Sequence, residues 1–151
     1  DRLDPYETYD FDEPWDGPNT RLLHDHVLNV YTCPSQTGTG NTGTTNYLAV
    51  VGPNTLWPGT KGRSLRDFTD ASANTLLVVE VHDSDIHWME PRDLDLDSTA
   101  TTINQGPPRR CIASQHRHGA NVAMAHRTIQ FIYEDAHGKT VHDMMTLEPV
   151  E

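Results

Sequence analysis

Three histidines near the C-terminal end of the chain have the spacing of a metal site. His116 and His118 lie two residues apart, so on a β-strand their side chains would share one face. His126 follows across a predicted hairpin, and three imidazoles with one open position suit Zn²⁺ or Cu²⁺. The alternative is that all three are exposed polar loop residues. His24 and His26 form a poorer pair, because side chains two residues apart diverge on a helix.

Acidic residues give a separate candidate, a calcium site. The run Asp93-Leu-Asp-Leu-Asp97 begins like an EF-hand loop, but Ser98 replaces the required Gly and Asn104 the required Glu. Alternating Asp and Leu therefore favours an exposed edge strand with its carboxylates in water. A solvated surface is also the alternative for a looser calcium site built from converging carboxylates. The candidates for that looser site are Asp10, Asp12, Asp16, Asp83 and Asp85.

The sequence contains neither the G-x-S-x-G nor the H-E-x-x-H motif of common hydrolases. Cys33 could meet a histidine as a nucleophile, although a structural thiol or a disulfide is the stronger interpretation. Glu80 ends the most apolar predicted strand, near His82 and Asp83, and could act as a general base. The alternative is that Glu80 caps a neighbouring strand or pairs with an arginine. The sequence therefore predicts a protein that is not an enzyme.

The two cysteines, Cys33 and Cys111, belong to no C-x-x-C motif, which excludes a zinc knuckle or a thioredoxin-type centre. A disulfide between them is predicted if the protein resides in an oxidising compartment. It would close a long loop and stabilise the fold by about 4 kcal/mol in the chain-entropy model. Two separate buried thiols are the alternative.

Length and charge describe one acidic domain over residues 1–151. Its 22 acidic and 11 basic residues give a net charge of −11, which opposes binding to nucleic acid. The mean hydropathy is −0.63. No apolar run approaches the roughly 20 residues that a membrane span needs. Ten glycines, ten prolines and many threonines favour short strands joined by long loops.

Hydrophobic periodicity predicts a mainly β fold, with an antiparallel sheet and one short helix near residues 19–27. Residues 1–18 form an acidic, aromatic segment whose prolines prevent a long helix. We expect Tyr6, Tyr9, Phe11 and Trp15 to pin it across the core as an extended strap. Strands are predicted over 30–33, 46–51, 74–81, 120–125, 128–133 and 140–147, and the last three form a C-terminal antiparallel meander.

Several motifs follow one another in an order typical of one family. They are Phe11-Asp-Glu-Pro-Trp-Asp-Gly-Pro-Asn19, Cys33-Pro-Ser35, Thr45-Asn-Tyr47, Asp67 to Glu80, Trp88 to Leu94, and His116 to Phe131. Together they resemble the planctomycete prepilin-like secreted proteins of unknown function, which carry a C-terminal His-x9-Asp-Gly motif. The resemblance extends from about residue 9 to residue 147. Here His126-Arg127 replaces Asp-Gly, so the hairpin must use another turn or His126 has another role.

The resemblance implies a non-catalytic, extracytoplasmic head domain of a pseudopilin-like subunit in a cell-envelope or secretion-type filament. Its partners would be further copies or other envelope proteins, and its membrane contact would be an N-terminal apolar helix absent from this chain. A binding module is the alternative, in which loops carrying Trp57 and Trp88 capture a metal ion (Ca²⁺, Zn²⁺ or copper) or a glycan. Without the helix, the sheet face that it covers should expose apolar side chains from Leu76, Val78, Ile129 or Phe131.

Overall fold

A computed structural model describes residues 4–37, 43–60, 62–64, 74–107 and 109–147 of the chain. The fold is mainly β, as predicted, with a four-stranded antiparallel sheet and a two-stranded parallel sheet. The elements are α1 (Pro5–Thr8), β1 (Tyr47–Leu48), β2 (Val50–Val51), β3 (Leu76–Glu80), β4 (Leu94–Asp95), β5 (Gly119–Met124), β6 (Ile129–Tyr133) and α2 (Gly138–Met145). The first sheet has the strand order β1-β3-β5-β6, and the second pairs β2 with β4.

Strand β3 lies between β1 and β5 and organises the core. Its Val79 pairs with Val122 of β5 and with Leu48 of β1, and all three side chains are buried. The same face of the sheet packs against α2 through Val141 and Met145, which belong to the main hydrophobic cluster. The opposite face carries Glu80 and is only partly covered. One face of the sheet is therefore buried, and the other is open along β6, where Ile129 and Tyr133 are exposed.

The β5–β6 hairpin forms where the sequence predicted it, with a turn that needs no Asp-Gly pair. Arg127 itself adopts the left-handed backbone conformation, with φ of 70°. The turn is closed by hydrogen bonds from Met124 N to Thr128 O and from Arg127 N to Met124 O, both 2.9 Å. Arginine therefore occupies the position at which glycine would be least strained.

The prediction of a third meander strand over residues 140–147 is wrong. Residues 138–145 form helix α2, whose Val141 and Met145 lie one helical turn apart and are both buried. The His137 side chain caps the helix by accepting from Lys139 N at 3.3 Å. In the predicted meander this strand would have paired with the outer side of β6, where no described strand lies.

Other predicted elements are shorter or differ in type. The helix expected near 19–27 is a single 3-10 turn at Thr20–Leu23, and the strand expected over 30–33 is a 3-10 turn at Asn29–Tyr31. The strand predicted over 46–51 divides between β1 and β2, because Ala49 N bonds the Asp93 carboxylate at 2.8 Å. No helix among the described residues is long and apolar enough to cross a membrane.

Trp15 anchors the N-terminal segment to the rest of the fold. Trp15 stacks on His24 and His87, with ring centroids 5.1 and 5.6 Å apart. Tyr6 and Phe11, expected to pin the segment across the core, are instead 78% and 72% exposed. The segment therefore presents aromatic rings to solvent.

Candidate metal centre

Glu80 is a charged side chain that the fold holds almost completely away from water. It closes β3, and its side chain is 2% exposed on the partly covered face of the sheet. Its Oε2 atom accepts a 2.6 Å hydrogen bond from the backbone N–H of Asn121 on β5. The other oxygen, Oε1, lies 3.5 Å from Nε2 of His116. The carboxylate thus caps a neighbouring strand with Oε2, whereas Oε1 faces His116 and also accepts from Nδ2 of Asn121 at 3.4 Å.

Cys33 brings a buried thiol to the same place. It follows the 3-10 turn at Asn29–Tyr31, and its backbone N–H donates to Oδ1 of Asn46 at 2.9 Å. Asn46 in turn donates from Nδ2 to the carbonyl of Val81, one residue beyond β3. This link fixes the cysteine against the end of β3, where its Sγ lies 3.5 Å from Nε2 of His116.

His116 completes the cluster from the loop that precedes β5. Its Nδ1 lies 3.1 Å from Oγ of Ser35, and its backbone N–H donates to Oγ of Ser114 at 3.1 Å. When Nδ1 carries the proton and donates it to Ser35, the lone pair of Nε2 points at Cys33 and Glu80. A second partner on the far nitrogen is how proteins orient a metal-binding imidazole.

The three ligand atoms, Cys33 Sγ, Glu80 Oε1 or Oε2 and His116 Nδ1 or Nε2, all lie within 4.8 Å of one another. Among the described residues, these three are the histidine, cysteine or acidic side chains whose ligand atoms lie close enough together to hold one metal ion. Sulfur, nitrogen and carboxylate oxygen are the ligands of Zn²⁺, which is bound by three protein groups where a fourth position stays open. The three side chains therefore have the spacing at which they could hold one metal ion.

Burial sets the protonation of the thiol. Desolvation raises the pKa of Cys33 above its ordinary value, and the negative charge of Glu80 raises it further. The hydrogen bond with the Ser35 backbone, which ranks second after desolvation, lowers the pKa, as does the weaker one with the Ser114 side chain, and the net shift is upward. Burial, Glu80 and Cys33 together also raise the pKa of Tyr47. The metal-free thiol is therefore protonated at neutral pH, and a bound cation would displace that proton.

The same three residue types could suggest a catalytic triad, but their arrangement differs from one. In a nucleophilic triad the acid orients the imidazole through the nitrogen opposite to the nucleophile. Here Cys33 and Glu80 both face Nε2 of His116, and the far nitrogen contacts Ser35. A reactive thiol also needs a lowered pKa, whereas that of Cys33 is raised.

A small cavity adjoins the cluster, with a volume of about 10 Å³, which is room for roughly one water molecule. Two buried polar atoms of its lining residues, Gln36 Oε1 and His82 Nδ1, have no hydrogen-bond partner among the described residues. Buried polar atoms are normally satisfied, so both are suited to a bound water or ion. The lining comprises Cys33, Gln36, Asn46, Glu80, His82, Ala113, Ser114 and Gln115.

The structure does not bring the three predicted histidine ligands together. His118 has a left-handed backbone with φ of 64° and lies before the first residue of β5, so the strand alternation expected for His116 and His118 does not apply. His118 Nδ1 instead lies 3.2 Å from Glu134 Oε1. His126 is exposed at the hairpin turn, with Nε2 2.7 Å from Oγ1 of Thr128. Only His116 of the three belongs to the cluster.

The predicted disulfide is also absent, because Cys33 and Cys111 are both free and buried. Cys33 faces His116, while Cys111 packs against Gly106, and burial raises the pKa of its thiol. The alternative of two separate buried thiols is the one that the structure shows.

The acids considered for calcium do not converge on one point in the described part of the chain. Asp83 pairs with His82 at 3.1 Å, and Asp85 pairs with Arg109 at 2.8 Å. An Asp10 side-chain oxygen accepts from the backbone of Asp12. These carboxylates serve local contacts.

The loop tryptophans also have structural contacts. Trp57 Nε1 donates to the carbonyl of Leu77 at 2.7 Å, and Trp88 Nε1 donates to that of His26 at 2.9 Å. Trp88 further stacks on Tyr31. Each indole ties its loop to another segment, which leaves its N–H unavailable to a glycan.

The sequence indicates Cys33 and Glu80 only as separate candidates and does not predict that they lie beside His116. The available signal was a buried acid at a strand end together with a cysteine that had no nearby partner. Neither family models, nor curated proteins, nor solved structures match this chain in our comparisons, so the site is interpreted from its geometry.

Proposed function

We propose that this chain is a non-catalytic, metal-binding domain whose ion is held by Cys33, Glu80 and His116. The observation that carries the proposal is the convergence of three different ligand atoms within 4.8 Å. The three residues come from separate segments of the chain, and Asn121, Asn46 and Ser35 hold one each in place. Such supporting contacts are what a preformed metal site requires.

The ligand chemistry favours Zn²⁺. Thiolate and imidazole ligands exclude the hard cations Ca²⁺ and Mg²⁺, which take oxygen ligands almost exclusively. The carboxylate disfavours Cu⁺, which selects soft sulfur ligands. Zn²⁺ accepts all three and brings a positive charge to the buried Glu80. The fourth ligand would be a water molecule or a neighbouring side chain.

Metal titration of purified variants tests the proposal. Zn²⁺ binding is measured by calorimetry, and Co²⁺ serves as a coloured substitute whose thiolate absorption reports a bound sulfur. Cys33→Ser and His116→Ala should weaken binding by more than the roughly 10- to 100-fold that loss of a supporting residue costs. Glu80→Gln keeps the shape of the side chain and one oxygen that can accept from Asn121 N. A fall in Zn²⁺ affinity in this variant therefore reports the lost charge rather than a loss of folding.

Two variants provide matched controls. Cys111→Ser removes the other buried thiol, and His118→Ala removes a histidine outside the cluster. Both should bind Zn²⁺ like the wild type. Wild-type protein that binds no Zn²⁺, or binds it equally after Cys33→Ser, would exclude the centre.

A second candidate function is that of an interaction head, which the family resemblance implies. We propose it as an extracytoplasmic, pseudopilin-like role in which the open face of the sheet contacts a partner. Ile129 is 69% exposed there, and Val78 and Phe131 are partly exposed, whereas Leu76 is buried. A hydrophobic dye should bind this face, and Ile129→Lys should reduce its fluorescence. Dye binding that Ile129→Lys leaves unchanged would count against it.

A further inference from the structure

The small cavity beside the cluster adjoins two of the three proposed metal ligands, Cys33 and Glu80. Both residues are buried, with 5% and 2% of their surface exposed. His116 is covered on the side of β6 by Phe131, whose ring meets the imidazole in a T-shaped contact with centroids 6.3 Å apart. The cavity is therefore the space from which a fourth ligand would reach an ion held by these residues.

The size of the cavity limits what that ligand can be. Its volume of about 10 Å³ holds roughly one water molecule. The histidine in its lining, His82, does not belong to the described residues whose ligand atoms all lie within 4.8 Å of one another. His82 is thus too far from the cluster to bind the same ion directly, and a molecule between them is needed to connect the two.

The unpartnered polar atoms of the cavity are both acceptors. One is the amide oxygen Oε1 of Gln36, and the other is Nδ1 of His82. Nε2 of His82 lies 3.1 Å from Oδ2 of Asp83, closer than the 3.4 Å to Nε2 of Gln115, which also donates to the carbonyl of Thr37. The shorter contact places the proton of His82 on Nε2, where it is donated to the carboxylate, and leaves a lone pair on Nδ1.

We infer that the fourth ligand of the proposed metal ion is one water molecule enclosed in this cavity, held by Gln36 and His82. A metal-bound water turns a lone pair to the cation and keeps both hydrogens for donation, which matches two buried acceptors. Gln36 and His82 are then positioning residues of a four-coordinate, closed site. The inference rests on the proposed function, since this water is a ligand only where Cys33, Glu80 and His116 hold an ion.

Zinc titration of matched variants tests the two positioning residues. Gln36→Leu and His82→Leu each remove one acceptor, and each should weaken Zn²⁺ binding by about 10- to 100-fold. His82→Asn keeps an amide oxygen that can take the place of Nδ1 and should recover most of the affinity. Gln105→Leu is the control, because Gln105 is exposed and contacts only the carbonyl of Glu134. The Co²⁺–thiolate absorption should persist in all four variants, since Cys33 remains a ligand.

Spectroscopy of the Co²⁺-substituted protein tests the water itself. Electron–nuclear double resonance should show strongly coupled protons on the wild-type centre that disappear when H₂O is exchanged for D₂O. Azide is larger than the single water for which the cavity has room, so it should leave the Co²⁺ absorption unchanged. A wild-type spectrum that azide alters would show an open coordination position and would overturn the enclosed water.

The outcomes separate this inference from the proposed function. Wild-type protein that binds no Zn²⁺ overturns the metal centre and the water together. Wild-type protein that binds Zn²⁺, with equal affinity in Gln36→Leu and His82→Leu, overturns the water and leaves the three-residue centre in place. A loss confined to His82→Leu that His82→Asn does not recover would make the imidazole itself the fourth ligand, which also overturns the water.

Discussion

Oε1 of Glu80 lies 3.5 Å from Nε2 of His116, the ring nitrogen opposite to the one that contacts Ser35. This relationship decides between the two chemistries open to a buried cysteine, histidine and glutamate. An acid on the far nitrogen would prepare the imidazole to accept a proton from the thiol. An acid on the same nitrogen as the thiol places three ligands around one point, which favours a metal ion.

Removing the Ser35 hydroxyl should weaken the metal centre without unfolding the protein. Ser35→Ala leaves Nδ1 of His116 without its 3.1 Å partner, so the ring is less firmly oriented. We expect Zn²⁺ affinity to fall about tenfold or more, as for other supporting residues. Calorimetric titration checks this, with Ser98→Ala as a control on an exposed serine that contacts Asp95. Equal affinities for wild type and Ser35→Ala would contradict the role of this contact.

Zinc affinity should increase with pH. Because burial and Glu80 raise the pKa of the Cys33 thiol, the free site is protonated at neutral pH and binding releases that proton. The dissociation constant should fall by about tenfold per pH unit for each proton released. Calorimetry in buffers of different ionisation enthalpy counts the protons. Cys33→Ser should release one fewer, and an unchanged count would show that the thiol is not a ligand.

The metal-free protein should lose stability in alkaline solution. Both buried thiols have folded-state pKa values raised above the ordinary 9.0, so the folded state retains protons that the unfolded state releases. Their stabilising contribution is complete below pH 9.0 and is lost as the pH rises through the folded-state pKa values. Urea unfolding as a function of pH measures it. In the double variant Cys33→Ser/Cys111→Ser the free energy of unfolding should fall less as the pH rises. Part of the fall should remain at higher pH, because the pKa of Tyr47 is also raised.

Replacing Arg127 by glycine should stabilise the hairpin. Arg127 has φ of 70°, a conformation that costs a non-glycine residue about 1–2 kcal/mol. Arg127→Gly removes that cost and should raise the free energy of unfolding by about 1 kcal/mol, which urea denaturation resolves. Arg127→Ala separates charge from backbone, because alanine keeps the strain. A gain in Arg127→Ala equal to that in Arg127→Gly would assign the effect to charge.

Adding a methyl group at Gly119 should damage the sheet. A Cβ there would lie 2.2 Å from the carbonyl oxygen of Ile132, so β5 and β6 could not keep their spacing. We expect Gly119→Ala to destabilise the protein by about 3 kcal/mol. Gly62→Ala is the matched control, since its Cβ would meet no atom of the described residues within 4 Å. Thermal unfolding of the two variants compares them, and similar midpoints would contradict the close approach.

The strands that the sequence predicts correctly are those with a local hydrophobic pattern. The apolar run of β3 and the alternation of β5 and β6 each identify a strand, because burial on one face has a period of two residues. The prediction of a strand over 140–147 is wrong because Val141, Met144 and Met145 also fit a helical period. Only the packing of α2 decides between a strand and a helix there. Short apolar runs carry this ambiguity wherever tertiary contacts select the element.

The candidate site could be predicted only in part. The sequence predicts His116 as a metal ligand, but it gives His116 the wrong neighbours, the histidines that are near in sequence. Cys33 and Glu80 reach it through the pairing of β3 with β5 and through the Asn46 link, which are contacts between distant segments. No spacing rule connects residues that meet only when the sheet forms.

A metal ion at this centre would join Cys33 to His116 across 83 positions of sequence. That loop is comparable in length to the one that the expected disulfide would have closed, but its closure would need neither an oxidant nor a second cysteine. The cross-link would also be reversible, since a chelator or acid could open it without breaking a covalent bond. The concentration of free metal would then set how tightly the N-terminal third of the chain is tied to the sheet.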